Sequence, residues 1–373
     1  MTTIVPSSGR QGGEARQLHV LVVDDSAMVR QVMQAILGTD RRIRVTVAAD
    51  PLIAFPKIQK DPPDVIITDL EMPHMDGLSF VRKIMVESPI PMVICSGLAA
   101  KGTELALRAL ELGAVEVISK PQLGVREFLH ESAVRLLDTV WSAAEARIGP
   151  APSRRTAPAQ AAAHAGAAPE IKSTFAASAR SLVAIGASTG GTEAIRVVLT
   201  AMPADCPPIV VVQHMPEGFT RAFAQRLSAE CTIQVREAKD GDSLGQGEAL
   251  IAPGNFHTMV ERGRRGYTVK VIDGPLVSRH RPSVDVLFRS VATCAGANAV
   301  GVIMTGMGDD GAQGLLEMKE AGAATIAQDE TSCVVFGMPR EAIARNAADC
   351  VLPLPLIAGR IMVMVLDDHA TSS

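Results

Sequence analysis

The sequence predicts an α/β protein in which two doubly wound parallel-sheet domains are joined by a linker. Short apolar runs alternate with segments of helical spacing on both sides of residue 150, a pattern typical of βα units. Between residues 150 and 170 alanine, proline and small polar residues dominate, which predicts a linker. Alanine also favours helix, but four prolines interrupt this stretch. We place the first domain at residues 17–140, the linker at 141–177 and the second domain at 178–366.

The first domain should contain βα units, in which short strands of a parallel sheet alternate with helices. Residues from Ser26 to Gly38 have apolar side chains at helical spacing, with Ser26 as the N-cap and Gly38 as the stop signal. The same reasoning predicts a helix from Thr103 to Gly113. A helix beginning near Pro51 contains Pro56, which predicts a kink or an early end. The predicted strands lie in the runs LHVLVVDD, RVTVAAD, DVIITDL, PMVICSG and AVEVISKP.

The second domain shows the same alternation with different residues, and we expect one further α/β sheet. No internal repeat relates the two halves, so we expect them to have different functions. The predicted strands lie in the runs SLVAIGASTGG, IVVVQHM, ALIAPG, VKVIDG, AVGVIMTGMGDDG and AATIAQD.

Composition excludes several classes of function. The net charge of −4 offers no basic field for nucleic acid, and aromatic residues make up only 3% of the chain. The six cysteines form no CxxC pair, which favours reduced thiols over a zinc site. We find neither a signal peptide nor an apolar run of the roughly 20 residues that a membrane span needs. We therefore expect a soluble, cytoplasmic protein that neither binds nucleic acid nor inserts into a membrane.

Acidic residues end two strands of the first domain. Asp24 and Asp25 follow LHVLVV, and Asp69 follows DVIIT. In a parallel sheet all three should meet at the carboxyl edge, where they can hold Mg²⁺ and where an aspartate can accept a phosphoryl group. Ser96 and Lys120 end two further strands and offer a hydroxyl and a cation to phosphate oxygens. Any single acid of this kind could equally be a helix cap.

The combination DDS, TDLEMPHMDG, CSG and SKP, with each motif closing a separate strand, resembles a response-regulator receiver domain over residues 18–138. The resemblance implies a flavodoxin-like fold, phosphorylation of Asp69, and an acidic site for Mg²⁺ that includes Asp24 and Asp25. It also makes Ser96 and Lys120 the switch hydroxyl and the phosphate-binding lysine. Receivers often carry an aromatic switch residue where this chain has Val117, so we do not expect the usual aromatic readout.

Ser188 lies on a glycine-rich turn, GASTGG, between an apolar strand and the start of a helix. The glycines allow a sharp bend that would expose the serine hydroxyl beside free helix N–H groups. This turn fits the loose GxSxG pattern of a nucleophile, and a phosphate-binding loop fits almost as well. A nucleophilic serine also needs a base and an orienting acid. His214 and Asp310 follow two other strands and could supply them, although each alone is a common turn residue.

Together with QHM, RPSVDVLF, TGMGDDG and AQDETSCVVFGMPREAI, these residues resemble the chemotaxis protein-glutamate methylesterase family over nearly the whole second domain. The resemblance implies Ser188 as nucleophile, His214 as general base and acid, and Asp310 as the acid that orients the histidine. It implies that the Met307 amide helps form the oxyanion hole. Asp309 is then the neighbouring acid without a catalytic role, and His257 and His280 are structural or substrate-cleft histidines.

The implied function is removal of methyl groups from glutamate methyl esters on the cytoplasmic domain of a chemoreceptor, with release of methanol. The resemblance also implies deamidation of receptor glutamines and activation by a chemotaxis histidine kinase. We expect no cofactor in the esterase domain. Two alternatives stay open. One is a non-enzymatic phospho-switch that binds a nucleotide through GASTGG, and the other is a family member in a chemosensory pathway that does not control swimming.

Overall fold

The computed structural model describes residues 17–97, 100–120, 126–148, 182–264 and 266–367. Most of the predicted linker lies outside these residues. Among the described helices, none combines the length and the apolar character needed to cross a membrane.

The first domain is a five-stranded parallel sheet with strand order β2-β1-β3-β4-β5. Its strands are β1 (Leu18–Val23), β2 (Ile43–Ala48), β3 (Val65–Thr68), β4 (Met92–Ser96) and β5 (Glu116–Ser119). Its helices are α1 (Ala27–Leu37), α2 (Pro51–Lys60), α3 (Gly77–Glu87), α4 (Ala100–Glu111) and α5 (Arg126–Glu145). Helix α5 thus continues five residues past the predicted end of the first domain.

Local signals explain the first two helices. The Ser26 side chain accepts a hydrogen bond from the Val29 amide and caps α1, as predicted, and the helix ends at Gly38. Helix α2 is capped by Asp50 and carries proline in its first turn, where no N–H is needed. The prediction that Pro56 would end this helix early is wrong, because α2 continues to Lys60. The Lys57 ammonium, one residue after Pro56, donates a hydrogen bond to the Val47 carbonyl of β2.

The second domain is a seven-stranded sheet in which every neighbouring pair is parallel, with strand order β14-β13-β12-β6-β7-β9-β8. The strands of this sheet are β6 (Leu182–Ala187), β7 (Ile209–Gln213), β8 (Gln234–Glu237), β9 (Glu248–Ile251), β12 (Ala299–Ile303), β13 (Ala324–Gln328) and β14 (Cys350–Leu352). Two further strands, β10 (His257–Gly263) and β11 (Gly266–Ile272), lie outside it. The helices are α6 (Gly191–Thr200), α7 (Phe219–Glu230), α8 (Val284–Cys294), α9 (Ala312–Glu320), α10 (Met338–Ala344) and α11 (Leu354–Asp367). The predicted fold class, α/β with a parallel sheet in each domain, is confirmed by the strand order and pairing of both sheets.

One strand of the second domain was assigned to the wrong sheet. The run VKVIDG does contain a strand, β11, but β11 pairs antiparallel with β10 in a separate hairpin. Helix α8 packs against β10, so the hairpin covers one side of the domain. The apolar pattern of a strand is the same in both settings, and therefore it could not indicate which partner β11 would have.

The strand order brings the ends of β12, β6 and β7 together at one edge. The chain leaves β6 toward β7 on one side, and it later returns to β12 on the other side. Such a reversal of direction opens a crevice at the carboxyl ends of the strands, where α/β proteins bind ligands. Ser188, His214 and Asp310 follow these three strands.

Candidate active site and phosphoacceptor site

The acidic site of the first domain forms at the carboxyl ends of β1 and β3. Carboxylate oxygens of Asp24, Asp25 and Asp69 lie within 4.8 Å of one another, and Asp24 and Asp69 are buried. One oxygen of Asp24, Oδ2, is buried without a hydrogen-bond partner. Burial, together with weaker repulsion from Asp69, raises the pKa of Asp24. The site therefore holds more carboxylate charge than the nearby positive charge neutralises. Its three carboxylates are oxygen ligands of the kind that a hard cation such as Mg²⁺ prefers.

Lys120 and Ser96 lie beside this site but differ in where they point. The Lys120 ammonium is 2.6 Å from Asp69 Oδ2 and 3.4 Å from Asp24 Oδ2. Burial alone would lower the pKa of Lys120, but the hydrogen bond and ion pair with Asp69 outweigh it and raise the pKa. The Ser96 hydroxyl donates to the Gly102 carbonyl at 3.0 Å, away from the acids. A phosphoryl group on Asp69 would offer Ser96 a different acceptor.

In the second domain the turn that carries Ser188 is fixed by its backbone. The Ser188 amide donates to the Thr305 carbonyl at 3.0 Å, and the Gly191 amide donates to the Ser188 carbonyl at 2.7 Å. Gly190 has φ +77°, and a side chain there would collide with Val334, so only glycine fits this position easily. The turn starts α6, and Ser188 lines a cleft of about 300 Å³.

His214 is placed beside Ser188 by the register of β6 and β7. Ala187 pairs with the last residue of β7, and the His214 amide donates to the Ala187 carbonyl at 3.2 Å. The His214 ring donates from Nε2 to Asp310 Oδ2 at 2.8 Å in the tautomer that makes Nδ1 the base. Nδ1 is buried and has no hydrogen-bond partner in the part of the chain that the structure describes. Within the described residues the Ser188 hydroxyl makes no hydrogen bond to His214, a contact that often tightens only when substrate binds.

Asp310 lies at the N-terminus of α8 and its two oxygens accept four hydrogen bonds. Besides His214, the donors are the Ser283 hydroxyl at 2.7 Å and the amides of Val284 at 2.8 Å and Asp285 at 3.0 Å. Burial alone would raise the pKa of Asp310, but these hydrogen bonds and the nearby His214 outweigh it and lower the pKa. The carboxylate is therefore held as an anion in a fixed orientation.

Met307 lies in the loop that separates β12 from Asp310. The loop passes close to Ser188. If Gly306 carried a side chain, its Cβ would lie only 2.7 Å from the Cβ of Ser188. Within the described part of the chain, the Met307 amide donates to no protein acceptor, and Met307 lines the cleft. A free N–H at this place can stabilise a developing oxyanion. Asp309, its neighbour in sequence, instead points to the surface and pairs with Arg345.

The first domain covers this cleft. Glu116, at the start of β5, accepts a hydrogen bond at 2.6 Å from the hydroxyl of Thr189, the residue after the nucleophile. Ser142 of α5 donates to the same hydroxyl at 2.6 Å. Asp138 pairs with Arg279 at the rim of the cleft, and Arg147 pairs with Glu330 farther out. Glu116, Asp138 and Ser142 line the cleft together with Ser188 and His214, so side chains of the first domain share this space with those of the second.

Sequence reasoning missed three residues that organise the site. Gln213 is buried and donates from its amide to the Ser188 carbonyl at 2.8 Å, which fixes the nucleophile turn. Ser283 both caps α8 and donates to Asp310. Glu116 contacts Thr189 of the other domain. The capping signal of Ser283 before an apolar helix was readable, whereas nothing in the sequence indicated the partners of Gln213 and Glu116.

Comparison with known proteins gives two family matches that together cover most of the chain. Residues 20–131 match the response regulator receiver domain, and residues 183–361 match CheB methylesterase. A protein-glutamate methylesterase/protein-glutamine glutaminase of Geobacter metallireducens is 57% identical over 93% of this chain and 99% of its own length. One from Anaeromyxobacter dehalogenans is 58% identical over 94% of this chain and 98% of its own length. The crystal structure of the Thermotoga maritima CheB methylesterase catalytic domain covers 50% of this chain and 98% of its own, at 38% identity and a TM-score of 0.49.

Proposed function

The chain belongs to the CheB methylesterase family with an N-terminal receiver domain, and on that premise we propose that Ser188, His214 and Asp310 are its catalytic triad. The enzyme is a protein-glutamate methylesterase with protein-glutamine glutaminase activity. The observation that supports the triad most strongly is the 2.8 Å hydrogen bond from His214 Nε2 to Asp310, together with a His214 Nδ1 that has no hydrogen-bond partner among the described residues.

In the proposed reaction the Ser188 oxygen attacks the carbonyl carbon of a glutamate γ-methyl ester. His214 Nδ1 takes the hydroxyl proton, while Nε2 keeps its bond to Asp310. The Met307 amide donates to the oxyanion of the tetrahedral intermediate. His214 then gives its proton to the leaving methanol, and water releases free glutamate from the acyl-enzyme by the reverse proton transfers. With a receptor glutamine the same attack releases ammonia.

We propose that phosphorylation of Asp69 opens the cleft. Asp24, Asp25 and Asp69 would hold Mg²⁺, which neutralises phosphate charge when it is bound. Phosphorylation adds about −1.5 to −2 charges beside Lys120 and gives the ammonium new oxygens to bind. Lys120 directly follows β5, and Glu116 at the other end of this strand holds Thr189. A shift of β5 would therefore reach the interface that covers Ser188.

The proposed partners are the cytoplasmic domain of a methyl-accepting chemoreceptor as substrate and a chemotaxis histidine kinase as phosphodonor. The enzyme would act where both are found, in the cytoplasm. Which receptor it serves depends on surfaces that recognise the partner, and the pathway need not control swimming. The alternative of a non-enzymatic nucleotide-binding switch has no support in the relatives, whose names describe a methylesterase and glutaminase.

The test is methanol release from methyl-labelled receptor with a small phosphodonor and Mg²⁺. The Ser188→Ala protein should lose about a million-fold in kcat, the size of loss known for a serine hydrolase without its nucleophile. Ser228→Ala, which changes an exposed serine of α7, should keep wild-type activity. Continued release by Ser188→Ala would rule out the proposed triad. An Asp69→Asn protein that still responds to phosphodonor would contradict only the control scheme.

A further inference from the structure

His280 stacks face to face on the catalytic histidine. The ring centroids of His214 and His280 are 3.7 Å apart and the planes differ by 11°. Both residues line the cleft, whereas Asp310 contacts His214 only at the edge of its ring. The catalytic imidazole is thus contacted on an edge by the acid and on a face by a second aromatic ring.

The loop that carries His280 is held from several directions. The backbones of Val277 and His280 exchange two hydrogen bonds, at 2.9 and 3.1 Å. Between them, Ser278 and Arg279 both have positive φ, a strained conformation for residues other than glycine. The Ser278 hydroxyl donates to Asp285 at 3.1 Å, and Asp285 lies in the first turn of α8, whose N-terminal groups donate to Asp310. Strain of this kind persists only where surrounding contacts enforce it.

A single hydrogen bond cannot fix the plane of the His214 ring. The bonded atom, Nε2, lies nearer than Nδ1 to the axis of rotation about the Cβ–Cγ bond, and this torsion is broad in histidine. Rotation about that axis therefore moves Nδ1, the atom that must reach the Ser188 hydroxyl, farther than it moves the atom bonded to Asp310. A flat ring stacked on the face of His214 opposes this rotation directly.

We propose that His280 is a positioning residue, whose stacked ring sets the plane of His214 so that Nδ1 points toward Ser188. The inference rests on the proposed triad. Burial, with repulsion from His214, holds the pKa of His280 well below its usual range, so this ring stays neutral. A neutral ring does not repel the imidazolium that forms on His214 during acylation, and the ring keeps water from that face.

The experiment measures kcat and KM for methylated receptor with the full-length protein activated by phosphodonor and Mg²⁺. His280→Ala should lower kcat by about 10- to 100-fold, because a misplaced catalytic group costs on that order, and should leave KM nearly unchanged. His280→Phe, which keeps a flat ring but no nitrogen, should recover most of the lost kcat. His280→Asn, which keeps polarity but no ring, should not. Val277→Ala is the control within the same loop and should behave as wild type.

Several outcomes would overturn the proposal. Wild-type kcat in His280→Ala would show that the ring plane needs no support. If His280→Asn recovers kcat as well as His280→Phe does, or if His280→Phe loses as much kcat as His280→Ala, then His280 has a polar role instead. A rise in KM at constant kcat would make it a substrate contact. If His280→Ala lowers the melting temperature, the kcat values of His280→Phe and His280→Asn still decide between a positioning role and a polar role. An active Ser188→Ala protein would reject the triad itself, which is a separate result.

Discussion

Asp310 and the acidic site of the receiver place carboxylates at the same position of a parallel sheet, yet their surroundings differ. Asp310 accepts four hydrogen bonds from groups on rigid elements, and its pKa is lowered. Asp24 keeps one buried oxygen without a hydrogen bond, and its pKa is raised mainly by burial. Asp25 and Asp69 add two further carboxylates within 4.8 Å, with Lys120 as the cation that bonds to Asp69.

The difference separates two uses of a buried carboxylate. Where hydrogen-bond donors surround the anion, it has a fixed direction and can orient a histidine, but it has no free oxygen for a ligand. Where carboxylates outnumber the donors, the site favours an incoming cation. The position at the end of a strand brings an acid into reach of a ligand, and the surrounding donors decide which role it takes.

The largest effect is expected from removing the charge of Asp310. The Asp310→Asn protein should lose about 10⁴-fold in kcat, the size of loss known when a triad aspartate becomes asparagine, because the amide favours the wrong tautomer of the histidine. Esterase assays of the activated protein measure this loss. Asp309→Asn is the matched control, since this neighbour lies at the surface and pairs only with Arg345 among described residues. Similar losses in both variants would contradict the different roles given to these two acids.

The second prediction concerns the cation site. Asp24→Asn should weaken Mg²⁺ binding by about 100-fold, a loss on the order seen when groups around a metal site are replaced. The Mg²⁺ dependence of phosphorylation by a small phosphodonor measures it, and without added Mg²⁺ activation should disappear. Asp61→Asn should leave the dependence unchanged, because Asp61 pairs with Arg44 at the other end of the sheet. Unaltered Mg²⁺ dependence in Asp24→Asn would remove Asp24 from the site.

Much of the fold and part of both sites were predictable from the sequence. Alternating apolar runs predicted the two sheets, and because parallel strands end at one edge, the residues closing them could be grouped without a structure. Asp24, Asp25 and Asp69 were grouped in this way, as were His214 and Asp310. The triad itself stays a prediction that the structure makes geometrically reasonable.

Contacts between distant elements were not predictable. Ser283 reaches Asp310 across 27 residues and Glu116 reaches Thr189 across 73 residues, and in sequence these look like an ordinary cap and an ordinary strand residue. Their roles come from how helices and domains pack, which periodicity does not report. The same limit explains why β11 was assigned to the wrong sheet and why Pro56 was expected to kink or shorten α2.

The third prediction uses pH to test the interface. Burial raises the pKa of Glu116 above its ordinary value of 4.5, against a smaller opposing effect of the Thr189 hydrogen bond. The closed interface therefore favours protonated Glu116. At pH values below the ordinary pKa of a glutamate, Glu116 is protonated in both the closed and the open interface, and closure does not depend on pH. As pH rises above about 4.5, the open form ionises first and closure weakens until the raised pKa is passed.

The measurable result is the ratio of unphosphorylated to phosphodonor-activated esterase activity, which cancels the pH dependence of the triad. This ratio should rise with pH over that window in the wild type and should be flat in Glu116→Gln. Glu104→Gln should keep the rise, because the Glu104 carboxylate is exposed and pairs with Arg108 within α4. A rise of the same size in Glu116→Gln would assign the pH dependence to another group.

The smallest effect is expected from the outermost contact between the domains. Arg147 and Glu330 pair at 2.6 Å, but both side chains are more than half exposed, at 58% and 56%. Such pairs contribute about 0.2–1 kcal/mol, so Glu330→Gln should raise the activity of the unphosphorylated protein by no more than about fivefold. The gain should vanish at high salt, where the wild-type pair is already screened. Glu193→Gln breaks a comparable pair with Arg196 inside α6 and should change nothing. A larger gain in Glu330→Gln would mean that the outer contact, and not the partly buried contact of Glu116 with Thr189, keeps the cleft closed.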